Sequence, residues 1–99
     1  MAQKIYKLFM GKAKEAWYQL SQEEQDGLLA KNAENLKKLG AKTVIVCDST
    51  WSSEQWQFFG VEVFPNIEAS QKHTAYLNQL DWLRYTESIT MLGSEWQGS

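Results

Sequence analysis

The chain has one cysteine, one histidine and one proline among 99 residues, and each scarcity closes off a class of protein. A lone Cys47 permits no internal disulfide, and a cytoplasmic protein is the simplest reading. One histidine and one cysteine make a poor ligand set, so no metal site is expected. With no glycine-rich phosphate loop either, no cofactor is expected. A single proline and six glycines leave no linker, repeat or low-complexity segment. No stretch approaches the roughly 20 apolar residues that span a bilayer. The segment MAQKIYKLFMGKAKE lacks the apolar core of a signal peptide. Ten basic against twelve acidic side chains give a net charge of -2. That supplies no basic field for nucleic acid or for a membrane surface, so neither partner is expected.

What is present is aromatic. Five tryptophans, four tyrosines and four phenylalanines occupy a chain long enough for one domain, residues 1–99. Residues 3–10, QKIYKLFM, read as a strand stopped by Gly11, and 11–20 as a loop with room for a helical turn. Ser21 with Glu24 makes a capping box that opens a helix. Leu28, Leu29, Ala33, Leu36 and Leu39 recur at helical spacing, and Gly40 ends the helix. KTVIVCD at 42–48 is a short continuous apolar run, suited to a strand buried on both faces. Within it Cys47 is expected to pack as a small apolar residue, and Asp48 to serve the turn that follows. Residues 55–64 read as a third strand forming a hairpin with the second, and Pro65-Asn66 opens a helix over 67–82. Residues 84–92 read as a last strand. The order βαββαβ predicts a ferredoxin-like α+β domain with a core over about 3–93: a four-stranded antiparallel sheet with two helices on one face.

Strand parity adds a second expectation. Side chains alternate between faces. Trp56, Phe58 and Phe64 point one way and Phe59, Val61 and Val63 the other. Tyr6, Leu8 and Met10 likewise oppose Ile5 and Phe9. Two helices cover one face only, so the other exposes an apolar patch that a symmetric second copy would bury. A homodimer is the expected state.

In chain order, two-sided sheet and length, and in the segment FFGVEVFPNIEASQKH, the chain resembles the dimeric α+β barrel superfamily over residues 3–93. That group includes cofactor-free monooxygenases, haem-degrading monooxygenases and muconolactone isomerases, with many members of unknown role. The resemblance implies a substrate pocket between helices and sheet. It also sets His73 beside the second-helix histidine of the haem-degrading enzymes. Where those enzymes use an asparagine on the first strand, this chain has Tyr6 and Lys7, which speaks against haem degradation.

Helical wheels place polar side chains on the buried stripes. Gln25 and Asn32 fall among the first helix's leucines, and His73 falls among Ala69, Tyr76, Leu77, Leu80 and Leu83 on the second. A buried polar group needs a partner, in the protein or in a ligand. His73 is the candidate acid or base. Tyr6, Gln25, Asn32, Trp56, Phe58, Tyr76 and Glu87 are candidate ligand contacts, with Glu62 and Glu87 as carboxylates inside apolar strands. Three readings stand: a pocket for an apolar aromatic or acyl ligand, a cofactor-free monooxygenase or isomerase on the same pocket, and a structural or regulatory dimer without ligand.

Overall fold

The structure, a computed structural model, describes residues 3–98. Its elements run β1 (Ile5–Ala13), α1 (Glu15–Tyr18), α2 (Gln22–Lys38), β2 (Lys42–Asp48), β3 (Phe58–Phe64), α3 (Ile67–Gln79), α4 (Trp82–Tyr85) and β4 (Thr86–Gly93). The four strands form one antiparallel sheet in the order β2-β3-β1-β4. This is the ferredoxin-like arrangement, with two short extra helices flanking the long ones.

The local signals that start and stop the long helices are satisfied in detail. Ser21 Oγ accepts from the Glu24 amide at 3.1 Å, and Glu24 Oε1 accepts from the Ser21 amide at 2.9 Å. The two bonds satisfy two amides that a helix start leaves unpaired. At the other end Gly40 adopts φ 74, a left-handed turn that reverses the chain into β2. For α3, the Asn66 side chain accepts from the Ala69 amide at 2.8 Å.

Several boundaries differ from the expectation. Strand β1 runs through Gly11 to Ala13. There the Phe58 ring lies where a Cβ would sit, 2.5 Å from its built position, so the glycine marks close packing rather than a stop. The third strand begins at Phe58, which leaves Trp56 in the preceding loop. The second long helix ends at Gln79 because Asp81 takes a left-handed conformation at φ 60, and α4 starts afresh behind it. Strand β2, expected to be buried on both faces, is an exposed edge strand with an irregularity in its register between Thr43 and Ile45.

The core lies between α2, α3 and the sheet. Phe64 is 0% exposed and packs with Leu36, Ala41 and Ala69, supported by Ile5 and Leu39. Register assigns Lys7, Phe9, Phe58, Glu62 and Phe64 to this helix-covered face. The opposite face carries Leu8, Ile45, Phe59, Ile89 and Met91, all exposed.

Candidate functional site

A cavity of about 290 Å³ opens between α3, α4 and the helix-covered face of the sheet. Its apolar wall includes Phe9, Phe58, Leu77, Trp82 and Leu83, and Thr86, Ser88 and Thr90 line the β4 side. The polar end is made by His73, Asn32, Lys7 and Glu62.

His73 reaches this wall because α3 turns its buried stripe toward β3. The residue is 1% exposed, and its ring lies 5.5 Å from the Phe64 ring, centroid to centroid. Its Nε2 sits 2.8 Å from Asn32 Oδ1, a bond between the two long helices. With the amide oriented this way, Nε2 carries the proton and donates, leaving a lone pair on Nδ1. That Nδ1 is buried and has no partner among the described residues. Burial, and next the positive charge of Lys7, lower the His73 pKa from its ordinary 6.5 to about 4. The ring is therefore neutral at physiological pH.

Lys7 and Glu62 stand opposite each other on β1 and β3, at 8% and 6% exposure. Burial lowers the Lys7 pKa and raises that of Glu62, and their mutual attraction offsets part of each change. Yet they do not close on each other as an ion pair; among the described residues such pairs are Lys12 with Glu87 and Arg84 with Asp81. Two buried charges facing one cavity without a direct contact leave hydrogen-bonding capacity turned toward its interior.

The structure thus brings His73, Asn32 and Phe58 together, and it places the other expected site residues elsewhere. Tyr6 lies on the open face of the sheet, in a shallow groove with Leu8, Val61 and Met91. Glu87 is on that face too, 3.4 Å from Lys12 Nζ, because its parity is that of Ile89 rather than of Ser88. Gln25 donates from Nε2 to the Trp17 carbonyl at 2.9 Å, tying α1 to α2. Trp56 has its carbonyl bonded by Ser49 Oγ at 2.8 Å and its ring 5.9 Å from Lys12 Nζ. Tyr76 is half-buried on α3, outside the lining. Lys7 was missed as a site residue, although its parity with Ile5 and Phe9 set it on the covered face. The contribution of α4 had no sequence signal, since the break at Asp81 needs a left-handed residue that is not glycine.

No family model matches the chain, and no curated protein matches it. Among solved structures it is similar to SnoaB, a cofactor-independent oxygenase from Streptomyces nogalater. The TM-score is 0.60 at 13% identity, over 98% of this chain and 97% of that one. No helix among the described residues is long and apolar enough to cross a membrane. At that identity the likeness speaks for architecture and not for chemistry, and the chain has a ferredoxin-like α+β fold.

Proposed function

We propose that this chain is a cytoplasmic homodimer, each protomer of which holds a small, largely apolar ligand in the cavity between α3, α4 and the sheet. The observation that carries the reading is His73 Nδ1, a buried acceptor without a partner among the described residues, on a side chain that lines the cavity beside Phe9, Phe58, Leu77 and Trp82. Burying such an atom without a bond costs about 1–3 kcal/mol, which a ligand donor recovers. Titration with 2-naphthol, followed by amide chemical shifts, is expected to move signals from His73, Leu77 and Trp82. The variant His73→Leu keeps the volume and removes the acceptor. It is expected to weaken binding about tenfold, the worth of one hydrogen bond. Unchanged affinity in that variant sinks the assignment.

The dimer reading rests on the exposed apolar face around Leu8, Ile45, Phe59, Ile89 and Met91. A patch of that kind is stable in water when covered. Met91 is 68% exposed in the single chain and lies beside Leu8, its partner across β1 and β4. The double change Leu8→Glu, Met91→Lys is expected to weaken self-association at least roughly a hundredfold while leaving the fold intact. Sedimentation of the unmodified protein as a monomer at micromolar concentration contradicts the reading.

A second reading makes the same pocket an acid–base enzyme, a cofactor-free monooxygenase or isomerase with His73 as base. It draws support from the fold shared with a cofactor-independent oxygenase and from the unprotonated Nδ1. A pKa of about 4 makes this histidine a weak proton acceptor, and a general base works best near the operating pH. Binding therefore takes precedence. Oxygen uptake in the presence of 1-naphthol, lost in His73→Leu, is the result that reverses that order.

A further inference from the structure

We propose that Lys7 and Glu62 select a ligand whose polar end is dipolar and uncharged overall, with an accepting oxygen toward Lys7 and a donor toward Glu62. The inference rests on the pocket reading above. Two charged groups face the cavity, an ammonium that donates and a carboxylate that accepts, and His73, whose buried Nδ1 lone pair has no partner among the described residues, lines the same wall. Their complement is one acceptor and up to two donors on neighbouring atoms. A primary carboxamide attached to an apolar ring has that inventory.

The charge balance gives the same answer. With Lys7 positive, Glu62 negative and His73 neutral, the cavity carries no net charge. An anionic ligand gains Lys7 but meets Glu62, and a cationic ligand gains Glu62 but meets Lys7. Asn32 on α2, Thr74 and Asn78 on α3, and Thr86, Ser88 and Thr90 on β4 line the same space and add no charge. Lys7 and Glu62 are themselves buried, and an uncompensated charge beside groups so placed is expensive. The gap between the two side chains also counts. A pair meant only to hold the sheet together gains most by closing, whereas this one stays open beside the cavity.

Four substituted benzenes test the idea by chemical-shift titration of the full chain: toluene, benzamide, benzoate and benzylammonium. Benzamide is expected to bind the unmodified protein about tenfold more tightly than any of the others. In Glu62→Gln the preference passes to benzoate, because Lys7 is then unbalanced, and in Lys7→Gln it passes to benzylammonium. Each single variant strands a buried charge. The paired variant Lys7→Met, Glu62→Leu strands none, and it is expected to fold and to prefer benzamide over toluene by no more than about threefold, the share left to His73. If toluene and benzamide bind the unmodified protein alike, or the paired variant keeps the full benzamide preference, the selection by Lys7 and Glu62 is wrong and the pocket survives. If none of the four moves the cavity signals, the pocket reading fails with it.

Discussion

Phe64→Ala is expected to lower the stability of the chain by about 3–5 kcal/mol, the cost of truncating a fully buried aromatic. Phe64 closes β3, pairs with Ile5, and is enclosed by Leu36, Ala41 and Ala69. Its neighbours come from β1, α2, α3 and the turn after α2, so no single element can move in to fill the void. Domains of this size are stable by roughly 5–15 kcal/mol in all, so the loss is a large share of the whole. Urea unfolding at one fixed protein concentration measures it, since self-association also feeds into the midpoint. A change below about 1 kcal/mol, the average for any substitution, shows that the core is not centred on this ring.

Acid is expected to undo the protein through His73, next to that ring. Its folded-state pKa is about 4 against an ordinary 6.5, so between these values the unfolded chain binds a proton that the folded chain refuses. Stability therefore falls as pH falls through this window, by about 3 kcal/mol when the window is fully crossed. Glu62 works in the opposite sense. Its raised pKa lets the folded state take a proton more readily than the unfolded one, which relieves a penalty present at higher pH. The clean measurement is the difference between unmodified protein and His73→Leu, followed from pH 7 to pH 4. The two curves are expected to approach or cross as acid removes the advantage of the unmodified chain. Curves that run parallel exclude His73 as the source.

Much of the architecture was legible because it is written in short-range signals. The Ser21–Glu24 box, Gly40 and Asn66 each act within four residues, and each sits where the local pattern set it. Alternation along β1 and β3 assigned the two faces for the same reason. What escaped was whatever depends on position in the sheet. KTVIVCD has the composition of a buried central strand, but order in the sheet, not composition, made β2 an edge.

The site shows the same division. Asn32 and His73 were found separately, from two wheels, and their meeting at 2.8 Å followed from the packing of the helices. Tyr6 and Glu87 drew attention by residue type, and one step of parity carried both to the far face. Glu62 stands out as a carboxylate inside an apolar strand, whereas Lys7 looks like an ordinary surface charge until its register with Glu62 and its burial are known.

The strand order also sets a timetable for synthesis. β1 leaves the ribosome ahead of the other three strands, yet it is flanked in the finished sheet by β3 and β4. Until Phe58–Phe64 has emerged it has no neighbour, and until Thr86–Gly93 has emerged one of its edges stays bare. A nascent chain that carries Ile5, Leu8, Phe9 and Met10 with open backbone groups is a target for chaperones and for other strands. Helix α2, capped by its own residues, can form early, but the pairing it must rest against arrives late. Losing β4 consequently uncovers the middle of the sheet rather than trimming its rim.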